Sequence, residues 1–198
     1  MVNFGILFLS LIYFIIYFSK GCRKKVIGNV VCFIILLLYL CSLLDITLLS
    51  REAMQERYVV LQPLRSYTIL INELWDYSGK YVAIASIGNI LIFIQFGMYL
   101  MTKLKFYSKI WIVVLIGFGF SFIIECVQYC WRLGTFEVDD LLHNTLGTYF
   151  GAHVTICIQG WRNKLEKESI LKKLIPMLIY IIFVVILITK SWLEYVRR

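Results

Sequence analysis

The sequence predicts an all-α membrane protein: a bundle of about six transmembrane helices with an outward-facing polar pocket and an interfacial helix. The first observation is composition, because 61% of the 198 residues are hydrophobic and 16% are charged, whereas soluble domains have roughly 45–50% and about 25%. The second is a series of apolar runs close to the ~20 residues that cross a bilayer. The third is a set of polar residues that share helix faces inside those runs.

Six apolar runs, separated by short charged segments, predict the helices. They cover residues 3–19, 26–49, 82–102, 108–130, 140–160 and 173–190. Tryptophan prefers the level of the lipid headgroups. Four tryptophans fall at predicted helix ends: Trp111, Trp131, Trp161 and Trp192. Their positions agree with the predicted spans.

The basic residues predict the orientation of the chain. They are densest between helices 1 and 2, 3 and 4, and 5 and 6, and the positive-inside rule puts such segments in the cytoplasm. Both termini and the segments 50–81 and 131–139 are therefore predicted to face outward. The net charge of +8 is interpreted as topology signals beside anionic lipid, and no nucleic-acid partner is expected.

The segment 50–81 is the longest predicted connection. It contains apolar residues at helical spacing after Pro63, and this pattern predicts a helix that lies in the membrane interface. These residues are Ile69, Leu70, Leu74 and Trp75.

Helix 4 has one polar stripe in an otherwise apolar surface. Residues three, four and seven apart share a face of an α-helix. Ser121, Glu125, Gln128 and Arg132 have these spacings. At about 1.5 Å per residue, Glu125 lies roughly 10 Å below Arg132.

Helices 3 and 5 have polar residues at a similar depth. Asp140 and Asn144 share a face of helix 5, and Asn89 lies about 10 Å from the start of helix 3. Polar groups in lipid normally face the bundle interior or a wet cavity, so three helices are predicted to contribute to one outward-facing pocket. Interhelical hydrogen bonding alone is the alternative. The GxxxG spacing of Gly147 and Gly151 predicts close helix packing within the bundle.

A metal site is a less favoured alternative. Carboxylate and imidazole groups suit divalent ions, and Glu137, Asp139, Asp140 and His143 lie close together in the sequence. Their spacing matches no common metal motif, so neither a metal nor a cofactor is expected. Thr135 or Asp139 is instead predicted to cap helix 5, because both residue types accept hydrogen bonds from helix N-terminal amides.

Several of these residues resemble the signature of the VanZ-like membrane proteins. The similar segments are Glu125-x-x-Gln128, Arg132-Leu-Gly-Thr-Phe-Glu-Val-Asp-Asp140, Asn144-Thr-Leu-Gly147, Leu61-Gln-Pro-Leu-Arg65 and Asn89-Ile-Leu-Ile-Phe-Ile-Gln-Phe-Gly97. The resemblance covers residues 40–155. It leaves 1–39 as an extra N-terminal helix with the start of helix 2, and 156–198 as a cytoplasmic loop with a C-terminal helix. The family usually has proline where this chain has Gln95, so a helix 3 kink is not expected.

The resemblance implies a multi-pass bacterial membrane protein. VanZ-like proteins are broad among Gram-positive bacteria, and founding members are associated with low-level resistance to teicoplanin. An outward-facing site agrees with this, because glycopeptides and lipid-linked wall precursors meet at that face of the membrane.

The sequence therefore favours a non-enzymatic cell-envelope protein that binds a lipid-linked wall precursor or glycopeptide-like ligand among membrane lipids. Arginine matches phosphate and carboxylate through its planar fork. The ligand-binding candidates are Arg65, Asn89, Glu125, Gln128, Arg132, Asp140 and Asn144. The pattern does not determine the oligomeric state.

The alternative is a membrane-embedded enzyme that acts on a lipid or glycan. Glu125 would be the general acid or base, because burial suits a carboxyl to that role, and Asp139 and Asp140 would assist it. Transport is a third, less favoured hypothesis, because no polar trail reaches the cytoplasmic half and no internal repeat is evident.

Overall fold

The computed structural model describes residues 37–49, 51–73, 76–104 and 109–162, with the single residues Ile34, Ile182 and Ile186. Predicted helix 1, the first part of predicted helix 2, most of predicted helix 6, and the predicted outward positions of the termini lie outside the described residues. The part of the chain that the structure describes is mostly helical.

Five helices and two short strands make up this part of the chain. The helices are α1 (Leu37–Leu49), α2 (Arg65–Glu73), α3 (Tyr77–Leu104), α4 (Ile110–Trp131) and α5 (Val138–Arg162). The strands are β1 (Val59–Val60) and β2 (Phe136–Glu137). Within the described residues, two helices are long and apolar enough to cross a membrane, namely Tyr77–Lys103 and Ile110–Trp131. The complete six-helix bundle stays a prediction.

Predicted helices 3, 4 and 5 correspond to α3, α4 and α5. The largest difference is at the start of α3, which begins at Tyr77, five residues before the predicted start. Its first turn is polar and is held to the end of α2, because Ser78 Oγ donates a hydrogen bond of 2.8 Å to Glu73 Oε2. A hydropathy criterion does not include such a turn in an apolar run.

The two strands form a parallel pair that an all-α prediction does not contain. Val59 is opposite Phe136, and Val60 is opposite Glu137. The Met54 amide also donates a 2.7 Å hydrogen bond to the Arg132 carbonyl. These backbone bonds hold the segment before α2 against the turn between α4 and α5.

Helices α3 and α5 approach closely through glycine, as the GxxxG spacing predicts. A β-carbon at Gly147 would contact the Ile90 carbonyl group, and one at Gly151 would contact the Ile94 carbonyl group. Only a residue without a side chain leaves room for these two backbones. This packing fixes the depth of α5 relative to α3.

A hydrophobic core joins α1, α3 and α4. Phe93 and Phe96 on α3 lie against Phe120 on α4, and the Phe96 and Phe120 rings stack at 4.8 Å between centroids. Tyr39 on α1 is fully buried in this cluster, and its hydroxyl donates a 2.9 Å hydrogen bond to the Ile92 carbonyl. The core therefore holds α1 against α3 and α4.

Candidate functional site

A cavity of about 540 Å³ lies between α2, the start of α3 and the turn that joins α4 to α5. Its charged lining residues are Arg51, Glu52, Arg65, Glu137 and Asp140. Sites for small ligands commonly have volumes of about 300–1,000 Å³. The cavity is therefore large enough for a polar headgroup or a comparable ligand.

The end of α4 forms one wall of the cavity. Arg132 has a left-handed backbone conformation with φ of 59°, and the Leu133 amide returns a 2.8 Å hydrogen bond to the Gln128 carbonyl. Such a left-handed residue is a common way to end a helix. Gly134 follows, and a β-carbon there would contact the Arg51 guanidinium group. Glycine at this position leaves room for Arg51.

Asp139 positions the opposite wall. Its Oδ1 accepts a 2.6 Å hydrogen bond from the Leu64 amide, and its Oδ2 accepts one of 2.6 Å from the Ser66 amide. Asp139 is 3% exposed. Its carboxylate satisfies amides at the N-terminus of α2, which an N-cap residue usually does from the same segment. Arg65 lies between these two amides and lines the cavity.

The prediction that Asp139 caps its own helix is therefore wrong, since its carboxylate holds α2. The role of catalytic partner is not supported either, because both carboxylate oxygens are engaged by backbone amides. Spacing along α5 could not indicate an interaction with residues more than seventy positions earlier.

Asp140 lines the cavity, and its charge interacts with that of the buried Glu125. Asp140 also hydrogen-bonds with the side chain of Asn89. Glu125 is 2% exposed, and its Oε2 accepts a 3.1 Å hydrogen bond from the Glu137 amide. Arg51 interacts electrostatically with the carboxylates of Glu125, Glu137 and Asp140. Glu125 itself is not among the lining residues.

Glu137 is half-buried on β2, outside the membrane-spanning helices. Burial raises the pKa of this carboxyl above its ordinary value, while the positive charges of Arg65 and Arg51 act in the opposite direction. Burial disfavours the charged form of an acid. Glu137 therefore gains a proton more readily than an exposed glutamate.

Gln128 and Asn144 make interhelical contacts below the cavity. Gln128 Nε2 donates a 2.8 Å hydrogen bond to the Thr47 carbonyl in the wide π turn that ends α1. Asn144 Nδ2 donates one of 2.8 Å to Ser121 Oγ. Within the described residues, Gln128 Oε1 and Asn144 Oδ1 have no hydrogen-bond partner. Both side chains thus match the alternative of interhelical hydrogen bonding.

Arg132 is separated from the rest of its predicted stripe. Glu125 and Gln128 are buried, but Arg132 is exposed and its Nη1 lies 3.4 Å from the Gln55 carbonyl oxygen. It does not line the cavity. The physical reason is that α4 ends at Trp131, so the left-handed residue that follows no longer shares the helical face.

His143 is a member of the alternative metal site. His143 is 1% exposed, and its ring packs edge-on against Tyr67 at 5.5 Å between centroids. Among the residues that the structure describes, no group of three or more His, Cys, Asp or Glu side chains is arranged to hold a metal ion.

The sequence reasoning missed Arg51 and Glu52 as lining residues, and it considered Glu137 only for a metal site. Arg51 and Glu52 lie two and three residues after the end of predicted helix 2. Their position at an outer helix end, next to the predicted pocket, was an available signal. Periodicity could not identify them, because they lie in irregular structure.

The family model described as VanZ/LLP1 matches residues 4–159. The chain belongs to the VanZ/LLP1 family. This match confirms the VanZ-like assignment, contains the predicted segment 40–155 and extends towards the N-terminus. The family and the two apolar helices together fit a membrane protein. Searches of curated proteins and of solved structures found no match.

The position at which this chain departs from the VanZ-like pattern, Gln95, lies in α3. Helix α3 of this VanZ/LLP1 protein continues through Gln95, the position at which the resembling proteins usually have proline. Gln95 is buried. A backbone amide is therefore present where proline would remove one.

Proposed function

We propose that this VanZ/LLP1 protein is a bacterial cell-envelope protein of the multi-pass type. Its cavity binds the anionic part of a lipid-linked wall precursor or glycopeptide-like ligand at the outer face of the membrane, and this binding underlies teicoplanin-type resistance. The observation that carries the proposal is that Arg51 and Arg65, from separate segments, line one cavity.

The chemistry of arginine supports an anionic partner. A guanidinium group donates paired hydrogen bonds to phosphate or carboxylate. Arg65 is held by the Asp139 contacts, and Arg51 lies against Gly134. A fixed backbone at Arg65 reduces the conformational freedom that is lost when its side chain binds a ligand.

Substitution of the cavity arginines tests the proposal. Arg51→Gln and Arg65→Gln should each weaken binding of a polyprenyl-pyrophosphate-linked wall precursor to purified protein by about tenfold, as expected when a charged hydrogen-bond donor is removed. The same variants should lower teicoplanin resistance at unchanged membrane abundance. Arg57→Gln is the matched control, since Arg57 is exposed like Arg51 and Arg65 but does not line the cavity. Equal effects of all three variants would contradict a role for this cavity.

A further variant separates the sequence-based site from the cavity. The polar stripe predicts that Arg132→Gln abolishes binding, whereas the position of Arg132 outside the cavity lining predicts that binding is retained. Loss of binding at normal abundance would show that the ligand extends beyond the cavity to the end of α4.

Outward exposure of the cavity can be tested by labelling. In a background without cysteine, a membrane-impermeant thiol reagent applied to whole cells should label cysteine introduced at Gly134 or Arg65. It should not label cysteine introduced at Lys105, which lies in a predicted cytoplasmic segment. The reverse pattern would remove the wall precursor as a ligand.

An enzyme is the second candidate, and one contact favours it. Asp140 lines the cavity and interacts electrostatically with the buried Glu125, and two interacting carboxyl groups can divide the roles of acid and base. Turnover of the wall precursor by purified protein, lost in Glu125→Gln, would support this candidate. Binding is better supported, since Glu125 does not line the cavity and Asp139 is occupied by backbone amides.

A further inference from the structure

The charges of the cavity are mixed. The carboxylates of Glu52, Glu137 and Asp140 line it together with the guanidinium groups of Arg51 and Arg65. A ligand with only negative charge would be attracted by the arginines and repelled by the acids. A ligand with only positive charge would meet the opposite difficulty. Interfaces select partners whose charges complement both signs.

Each arginine interacts electrostatically with one or more of the acids. Arg51 acts on Glu125, Glu137 and Asp140, and Arg65 acts on Glu137. Burial still raises the pKa of Glu137 in the presence of both arginines. The acidic side of the cavity is therefore complementary to a further positive group.

A buried acceptor provides an independent indication of a missing donor. Gln128 is 2% exposed, and no donor in the described part of the chain reaches its Oε1. Its carboxamide carbon would lie 3.7 Å from a β-carbon at Gly134, a lining residue of the cavity. A buried acceptor without a partner is costly, and an ammonium group is a strong donor.

We infer that the cavity selects a zwitterionic group in which a phosphate and a primary ammonium are close together. The phosphate lies between Arg51 and Arg65, and the ammonium faces the acids that line the cavity, Glu52, Glu137 and Asp140. This inference rests on the proposed function and defines its ligand chemistry more narrowly. A phospholipid headgroup and a soluble phosphate ester with an amine share this chemistry.

The surface next to the cavity favours the lipid source. Tyr81 lines the cavity, and Ile84 and Leu91 continue from it along α3 at helical spacing, with exposed fractions of 69% and 51%. Gly88 lies between them and faces open space. An acyl chain can lie along this apolar face while its headgroup occupies the cavity.

Three soluble probes test the inference on the full chain in detergent. Dihexanoyl phosphatidylethanolamine has both charges, dihexanoyl phosphatidylglycerol has only the phosphate charge, and glycerophosphoethanolamine lacks acyl chains. Calorimetry should show that phosphatidylethanolamine binds at least about tenfold more tightly than phosphatidylglycerol. The free headgroup should bind more weakly than the lipid.

Two isosteric variants test whether the acids of the cavity cause the preference for phosphatidylethanolamine. Asp140→Asn should reduce the preference for phosphatidylethanolamine, and Glu52→Gln, at an exposed position, should reduce it without a risk to folding. Arg57→Gln is the control and should leave both affinities unchanged. Arg51→Gln should weaken both lipids together, because both contain the phosphate.

The outcomes separate the two proposals. Equal or tighter binding of phosphatidylglycerol, with both lipids weakened by Arg51→Gln, would overturn zwitterion selectivity and leave the proposed anion site intact. An unchanged preference in both acid variants would also overturn it. Failure of every probe to bind would overturn the zwitterion inference, and the wall-precursor binding assay would then decide the proposed function separately. Equal binding of the free headgroup and the lipid would overturn the role of the apolar face of α3.

Discussion

Removal of the Asp139 carboxylate should release the N-terminus of α2 without disrupting the long helices. Its two oxygens accept the amides of Leu64 and Ser66 at 2.6 Å each. The residue between those amides is Arg65, so the contact that stabilises the helix end also positions a cavity arginine. Two variants test this: Asp139→Asn removes one acceptor, and Asp139→Glu keeps the charge but moves it.

The expected magnitude follows from the two hydrogen bonds. A hydrogen bond to a charged group contributes about 1.5–3 kcal/mol, and a buried amide left without a partner costs about 1–3 kcal/mol. Asp139→Asn keeps one acceptor and turns a donor towards the second amide, so we expect a loss of about 2–3 kcal/mol. Asp139→Glu places the carboxylate one methylene further out, where it cannot accept both amides in the same geometry, and should lose a similar amount.

Hydrogen exchange on purified protein is the decisive assay. The amides of Leu64 and Ser66 should lose about 30- to 150-fold of their protection in Asp139→Asn, the equivalent of 2–3 kcal/mol. The amides of α4 should keep their protection. Ligand affinity should fall because Arg65 is no longer held. Full protection of both amides in Asp139→Glu would refute the geometric argument, since charge alone would then be sufficient.

Three further predictions follow from the packing and charges. Gly97→Ala should lower the free energy of unfolding by about 1–3 kcal/mol, because the new methyl group meets a backbone carbonyl of α5. Thermal denaturation in detergent measures this change. Gly88→Ala is the control and should not lower the free energy of unfolding, because Gly88 is on the same helix and faces open space. Gly134→Ala should fold normally but weaken anion binding, because its methyl group displaces the flexible Arg51 guanidinium; wild-type affinity would contradict the proposed place of Arg51. Because burial raises the pKa of Glu137, this carboxyl should lose its charge at a higher pH than an exposed glutamate does. Affinity for phosphatidylglycerol should rise as the pH falls through that transition, and Glu137→Gln should reduce this pH dependence.

Local periodicity explains which parts of the structure were predictable. The apolar runs predicted α3, α4 and α5, because each of these helices is a long segment with a persistent hydrophobic surface. The polar spacing predicted that Glu125 and Asn144 point inward, since a polar group facing lipid is costly. Both side chains are buried in the structure. These features depend on residues within a few turns of one another.

The features that were not predicted depend on distant segments or on helix ends. Val59 and Phe136 pair across a gap in sequence of more than seventy residues, and a two-residue strand has no periodicity to detect. Arg132 was placed on the face of α4 because its spacing fits, but the helix ends one residue earlier. Each residue turns a helix by about 100°, so an uncertainty of one residue at an end redirects the side chain. Arg51 approaches Gly134 only through the tertiary fold.

The pair Asp139 and Asp140 shows why neighbouring acids in this signature have different functions. They are adjacent at the start of α5, where the helical turn directs them about 100° apart. Asp139 faces the backbone of α2 and is used for structure, whereas Asp140 faces the cavity and Asn89. Asp139→Asn should therefore change amide protection first and affinity as a consequence. Asp140→Asn should change ligand selectivity while the amides of α2 stay protected. If both variants gave the same profile, the division of roles between these two carboxylates would be wrong.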